Sequence, residues 1–428
     1  MRKADVVIIG GGAAGLMAAC AASSSLKKRG AVLIVEGNPK LGRKLLATGN
    51  GRCNLSNLQA SPLHYHGDVS AAAALLDNYT PENVLAVFRE MGLVTKADDE
   101  GRVYPHNLQA AAVLSVLRGF AEENGAECIV GNAAISILKT KRGFLVKCAD
   151  GEEIEAGKCI LACGGAASPK HSCSADGYVF AKELGHTVTT LYPVLTQLIC
   201  KGKLFKSLSG TRCAVNASLI ADGKTVYAES GEVLFSAVGL SGICIFGLSV
   251  YAGEFFATGK IGGKPYKSLS CALDCLPEWS FNEITSYLNE IRVGFPNRMA
   301  GDLLMGLMNM KIGYAMVQTA GIDPNMAVKF VTPGQIQKLA ALIKAWKFEV
   351  TGTKSWNDAQ VTAGGVPLSE VDGLTMESKK ARGLYLAGEI LNIHGDCGGY
   401  NLHFAWATGI AAGRDAAEKS KRTTKGTV

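Results

Sequence analysis

Thirteen cysteines without a single CxxC pair set the first limit on this chain of 428 residues. Structural zinc needs clustered thiolates or imidazoles, and disulfide frameworks belong mainly to small secreted domains. Scattered thiols, with no pair closer than the four-residue spacing of Cys159/Cys163 and Cys271/Cys275, therefore predict no metal site and reduced side chains in a cytoplasmic protein. Charge is scarce too. Asp, Glu, Lys and Arg make up 19% of the residues against 48% for the apolar set, which excludes a disordered chain or a heptad-repeat rod. The excess of 44 basic over 37 acidic side chains, a net +7, is thin for this length. Basic runs occur only at Lys27-Lys28-Arg29 and from Lys419 to Lys425, a pattern of solvated surface that argues against a nucleic-acid partner. No internal repeat or low-complexity linker stands out, and nothing signals an obligatory protein partner.

Two apolar stretches test for the membrane. Met1-Arg2-Lys3 and the residues after it lack a cleavage-site pattern and run into glycine at position 10, which fits a first β-strand. Val233 to Gly253 is uncharged and long enough to span a bilayer, but seven of its 21 residues are Gly or Ser. Glu232 and Glu254 flank it where basic anchors belong. It reads as strand, turn and helix in a buried domain, and no membrane association is expected.

What the chain does have is glycine, 51 residues or about 12% against a usual ~7%. The opening run from Asp5 to Ile9, then Gly10-Gly11-Gly12-Ala13-Ala14-Gly15, a small-residue helix to about Ser24 and a second strand from Ala31 to Glu36 make one β-α-β unit. Gly10, Gly12 and Gly15 fill the GxGxxG positions, and Glu36 lies 21 residues beyond Gly15. Gly10 permits the tight turn, Gly12 lets backbone N–H groups approach a pyrophosphate, and Gly15 lets helix pack on strand. The helix N-terminus favours the anion. A carboxylate at position 36 suits the unphosphorylated ribose of FAD or NAD better than NADP.

Further glycines follow strands downstream. Ile160 to Gly165 includes Ala162, Cys163 and Gly164. Gly383 to Glu389 ends a strand in Gly388-Glu389, and Gly398-Gly399-Tyr400-Asn401 opens a helix from Leu402 to Ala417. Ligands gather at strand carboxyl ends in two-sided α/β sheets. Glu389 can position a ribityl-phosphate, and the helix near Tyr400 can aim its positive end at a flavin pyrimidine. A second GxGxxG is missing, so a resident NAD(P)H domain is not expected, although NAD(P)H remains possible as a transient electron donor. The length suggests about three structural units. We expect a discontinuous Rossmann-like α/β domain over 1–190 and 355–428, a β-rich insert over 191–270 and 346–354, and helices over 271–345.

The run Leu41-Gly42-Arg43-Lys44 through Thr48-Gly49-Asn50-Gly51-Arg52-Cys53-Asn54 to Asn57 resembles the signature of the BaiN/YhiN-like FAD-dependent oxidoreductases. Gly101 to Pro105, Val361 to Val366, and Gly388 through Asn401 are similar to that family in the same order. The resemblance implies FAD bound across both halves of the Rossmann-like domain, with an inserted β-barrel and helical domain over the flavin. The residues expected at the cofactor are Gly10, Gly12, Ala13, Ala14, Gly15, Glu36 and Gly37; Arg43, Lys44 and Thr48 to Asn54; Ala134; Ala162, Cys163 and Gly164; and Gly388, Glu389, Gly399, Tyr400, Asn401 and Leu402. Arg43, Lys44, Arg52 and the loop amides would neutralise pyrophosphate and polarise the flavin N1/C2=O region. Cys53 reads as a packing residue rather than a redox thiol.

The chain departs from the family at Ser236-Ala237, where Thr-His is usual, and at Ser241-Gly242-Ile243. It departs again at Leu391-Asn392-Ile393-His394, where acids are usual, and at His403. The expected chemistry is hydride transfer between flavin N5 and a small or medium organic substrate. Reduction of an activated C=C bond, as in a steroid or bile-acid-like enone, is favoured over amine oxidation with oxygen. A flavin-binding redox sensor or electron carrier is the alternative of another class. An enone reduction needs an acid, for which His394, His403, Tyr104 and Tyr400 are candidates. Losing a family His at Ala237 while gaining His394 and His403 suggests that proton transfer has moved to the cofactor-domain side.

Overall fold

The computed structural model describes residues 1–28, 30–171 and 175–425, so Arg29 of the first basic run and Cys173 lie outside the described residues. Val6 to Ile9, at most 4% exposed, form the buried end of the strand Arg2–Ile9. Strands buried on both faces read as continuous apolar runs and pair in parallel. Arg2–Ile9 accordingly pairs in parallel with Val32–Glu36 on one side and Glu153–Leu161 on the other. Ala126–Val130 extends the sheet beyond Val32–Glu36. The hairpin strands Phe144–Cys148 and Ala134–Lys139 continue it antiparallel on the other flank. Leu384–Leu386, from the far end of the sequence, joins the carboxyl half of Glu153–Leu161 in parallel. Strand ends bearing Gly10, Ala162 and Ala387 thus lie side by side, as a discontinuous Rossmann-like domain requires.

Helix Ala13–Leu26 covers this sheet together with the terminal helix Tyr400–Lys425, which starts two residues earlier than the sequence suggested and runs longer. Small residues let the two approach. A Cβ at Gly409 would lie 2.6 Å from the Ala14 carbonyl oxygen, and one at Gly413 would overlap that of Ala18. Lys419, in the second basic run, is tied down by Asp415 at 2.7 Å.

Residues Met1–Pro193 with Gln360–Val428 form one compact unit and Val194–Ala359 another. The second holds a closed six-stranded barrel in the order Leu198–Cys200, Gly239–Ser241, Lys224–Ser236, Arg212–Ala221, Leu269–Asp274 and Trp346–Thr353. Phe205, Phe235, Trp346 and Phe348 fill it. The uncharged stretch from Val233 is strand, turn and helix Ile243–Thr258, and among the described residues no helix is long and apolar enough to cross a membrane. Helices Phe281–Gly294 and Pro333–Lys344 start at capping boxes on Ser280 and Thr332. Their buried residues Ile284, Leu288, Ile336 and Leu339 belong to the barrel's own core, so barrel and helices share one hydrophobic interior.

Candidate active site

The three fingerprint glycines do three different things. Gly10 has φ +106°, and a Cβ there would sit 2.5 Å from the Ala162 carbonyl oxygen, so neighbouring strand ends can approach only without a side chain. A Cβ at Gly15 would overlap the Gly10 carbonyl, the price of packing helix on turn. A Cβ at Gly12 would meet nothing within 4 Å. Gly12 is also the N-cap of helix Ala13–Leu26 and supplies no side-chain cap, so Ala13 and Ala14 open a helix whose first N–H groups have no capping side chain. Open space plus uncapped donors is what a pyrophosphate needs.

Glu36, 7% exposed, ends the second strand beside this turn. One carboxylate oxygen accepts from Gly11 N at 2.8 Å, and the other from the N and Nδ2 of Asn38, both at 2.7 Å. The acid therefore braces the glycine turn. Gly37 follows it. The Asn132 N–H reaches the Glu36 carbonyl at 3.2 Å, which brings the approach to Ala134 alongside.

The three cations of the signature loop separate. Lys44 Nζ pairs with Glu389 at 2.7 Å across 345 residues of sequence, and Thr362 N donates to the other oxygen of Glu389 at 2.9 Å. Arg43 is exposed and donates to Asn38 and to the Lys170 carbonyl, and exposed Arg52 lies 5.2 Å over the Tyr104 ring. The three cations thus take different partners, with Lys44 on Glu389 and Arg43 and Arg52 at exposed positions. Gly49, Asn50, Gly51 and Cys53 all take positive φ. Thr48 Oγ1 donates to the Leu45 carbonyl at 2.6 Å and closes the preceding short helix. Cys53 is fully buried, and burial pushes its thiol up to about 12, a packing thiol with no thiolate character. Asn54 Oδ1 is buried without a hydrogen-bond partner, and a Cβ at Gly399 would lie 2.7 Å from it. Such an orphaned acceptor fits a ligand donor.

At the other strand ends, Ala162 N donates to Ile9 O at 2.9 Å, Cys163 follows, and Gly164 turns the chain with φ +75°. Gly388 has φ +79° and faces Ala14. Asn401 Oδ1 accepts from Gly395 N at 2.8 Å and its Nδ2 donates back to Gly395 O, fixing the loop that leads into Tyr400 and Leu402. The turn, Glu36, Lys44, Glu389, Asn54 and the start of the terminal helix form a cradle whose open space and unfilled partners fit FAD.

The proton-donor candidates fare differently. His403 is fully buried, with Nδ1 2.9 Å from Ser56 Oγ and Nε2 2.9 Å from the Tyr79 carbonyl. Burial lowers it to about 4 against the opposing Tyr79 bond. With both nitrogens engaged it locks the terminal helix in place and has no proton to hand on. His394, 3% exposed, has no hydrogen-bond partner at either nitrogen among the described residues, and burial, helped by the nearby charge of His66, holds it down to about 3. An imidazole that stays neutral at physiological pH is not an imidazolium acid, so the assignment of the proton to His394 is withdrawn. Tyr104 and Tyr400 keep their phenolic protons, Tyr400 being pushed up to about 12 by burial and then by Asp396.

Three residues at this end escaped the sequence reading. Strand Ile393–Gly395 pairs antiparallel with Tyr65–Gly67, so His394 faces His66, their rings stacked 5.2 Å apart. His66 Nε2 lies 2.8 Å from one oxygen of Asp396, and His64 Nδ1 lies 3.2 Å from the other. The His-x-His spacing at 64–66 was the available signal, though His64 ends a 3-10 turn and His66 lies in the strand that follows it.

Residues 4–415 match the family described as HI0933-like protein Rossmann domain. The chain is 35% identical over 389 residues to the 3-dehydro-bile acid delta(4,6)-reductase of Clostridium scindens, covering 91% of this chain and 93% of that one. It is 27% identical to the ribosomal RNA dihydrouridine synthase of Escherichia coli, over 90% and 91% of the two chains. Among solved structures, the 3-ketosteroid delta1-dehydrogenase of Sterolibacterium denitrificans aligns with TM-score 0.51 at 12% identity, covering 98% of this chain and all of the other, a likeness of fold. The chain therefore belongs to the HI0933-like family of Rossmann-domain proteins.

Proposed function

We propose that the protein binds FAD and saturates a C=C bond conjugated to a carbonyl in a steroid or bile-acid-like substrate. The observation that carries this reading is 35% identity to a bile-acid reductase over nine-tenths of both chains. The names of the two relatives describe different substrates, yet a 3-oxo-diene and a uracil ring share one reactive unit, an alkene polarised by a carbonyl.

In this reading the uncapped N–H groups at Ala13 and Ala14 take the pyrophosphate, Glu36 the adenosine ribose, Lys44 with Glu389 the ribityl side, and the positive end of the terminal helix at Tyr400 the flavin pyrimidine. Bound FAD supplies a hydride from N5. The chain's own part is to hold the ring system, to orient the substrate over it and to provide the proton that balances the hydride. NADH or NADPH serves as a passing electron donor, because the sequence has one dinucleotide fingerprint and FAD occupies it. The protein works in the cytoplasm.

Anaerobic rapid mixing tests this. Reduced holoenzyme should be reoxidised by a 3-oxo-4-ene steroid with formation of the saturated ketone. If enones fail while an amine reduces the oxidised enzyme, the protein is an amine oxidase instead. Reoxidation only by a uridine-containing RNA would move the substrate to the pyrimidine class.

A further inference from the structure

We propose that His64, held by Asp396, is the proton donor to the substrate. The inference rests on the C=C-reduction reading and deepens it. Burial pushes the Asp396 carboxyl up, but the hydrogen bonds and charges of His66 and His64 outweigh it and hold the group below its ordinary range. An ionised carboxylate only accepts, so His64 Nδ1 and His66 Nε2 must each carry the proton they present to it. That fixes His64 with Nε2 as its working nitrogen. Nε2 has no protein partner among the described residues, and the side chain is 31% exposed. A carboxylate behind one imidazole nitrogen with the other nitrogen open is the arrangement that orients a histidine for proton transfer.

The dyad is stitched to the end of the terminal helix expected to face the flavin. The His64 ring stacks on Tyr400 at 4.5 Å and 15°. Asp396 N donates to His64 O at 2.9 Å, and Tyr65 OH donates to Tyr400 O at 2.9 Å. The ionisable groups facing the dyad are thus His66 and Tyr65 from its own segment and Tyr400 from the helix. Behind them His394, stacked on His66, stays neutral and adds no charge. Leu63 and Leu58, in the same loop segment, are 90% and 54% exposed, an apolar flank suited to a hydrocarbon skeleton.

The step balances. A hydride adds with its electron pair at the β-carbon, the π electrons of the alkene move onto the carbonyl oxygen as an enolate, and the α-carbon takes the proton from His64 Nε2. The imidazolium becomes neutral imidazole, and solvent reprotonates it at the exposed edge.

The test uses FAD-loaded enzyme, reduced with dithionite and mixed anaerobically with a 3-oxo-4-ene steroid. His64→Gln should retain flavin and reduce normally, yet be reoxidised at least about a hundredfold more slowly. In His64→Ala, added imidazole should restore part of the rate. By NMR, the Nδ1 proton of His64, deshielded by the carboxylate, should appear downfield and vanish in Asp396→Asn. Reoxidation of His64→Gln within about threefold of wild type, or a His64→Ala enzyme that imidazole does not rescue, overturns the proposal while leaving the substrate reading intact. If wild-type enzyme is not reoxidised by any enone, the substrate reading fails and the donor role falls with it.

Discussion

Two histidine networks in the same structural unit look alike on paper. His186 has Nδ1 2.8 Å from Glu370 Oε2 and Nε2 2.8 Å from Ser378 Oγ, the connectivity of a Ser-His-Glu triad. Its side chain is wholly inaccessible, Ser378 Oγ already accepts from Lys380 N at 3.0 Å and Ala381 N at 2.9 Å, and Glu370 also accepts from Thr187 N and Oγ1. Burial, against the pull of Glu370, keeps His186 below its usual range. His186, Glu370 and Ser378 find their partners inside the chain, so the network is a clasp. The His64–Asp396–His66 network is half open, with one nitrogen facing out and the unpartnered ring of His394 behind it. Connectivity does not separate a clasp from a site; what remains unfilled does.

The same contrast between filled and open space divides the glycines, and there the largest effects are expected. Gly15→Ala forces a Cβ into the Gly10 carbonyl and should abolish soluble folded protein or lower its melting temperature sharply. Gly12→Ala places its Cβ in open space, so the flavin-free protein should melt as wild type does while flavin binding is lost. Equal destabilisation by both would break the distinction.

Next, His64→Gln should cost catalysis and leave stability nearly untouched, whereas Ser378→Ala should cost stability and leave catalysis nearly untouched. Removing the Ser378 hydroxyl strands two backbone N–H groups and a buried imidazole, a loss of about 1–3 kcal/mol in denaturant unfolding. Loss of turnover in Ser378→Ala with normal stability would show that the clasp has a chemical role.

A smaller effect is expected at Glu36. Glu36→Ala should weaken FAD binding by about 1–3 kcal/mol in titrations of flavin-free protein, partly because Gly11 N loses its acceptor. Lys44→Ala should weaken FAD binding too and shift the flavin reduction potential; an unchanged affinity and potential would remove Lys44 from the cofactor site.

The smallest effect is the slope of stability with pH. Unfolded histidine takes up a proton near pH 6.5, while burial holds folded His394 neutral down to about 3 and His403 down to about 4. Between those limits the unfolded state binds more protons, so stability is present above about pH 6.5 and drains away as pH falls. His394→Phe, which keeps a ring against His66, should flatten that decline; an unaltered slope would mean His394 is protonated in the folded state.

The comparison also shows what could be read from residue order. The GxGxxG turn, Glu36 at the end of the second strand, and the return of the chain to the same sheet at Gly388-Glu389 were legible because each rests on local constraints: a φ only glycine accepts, an apolar run long enough for one strand, a strand end followed by a helix. The β-rich character of the insert showed in short β-like runs and turns for the same reason, though its closure into a barrel was only what the family resemblance implied, and the core shared by barrel and helices did not show.

Which polar groups would find partners was beyond the sequence. His403 and His394 look equivalent there, nine residues apart, yet one meets Ser56 and Tyr79 and the other meets only a stacked ring. Lys44 reaches Glu389, and His64 reaches Asp396, across more than 300 residues. The sequence determined the glycine turn and the strand order around it, because backbone conformation and strand pattern are set by neighbours in the chain. Tertiary structure alone decided which imidazole keeps an open nitrogen, because burial and hydrogen-bond satisfaction depend on groups that only folding brings together.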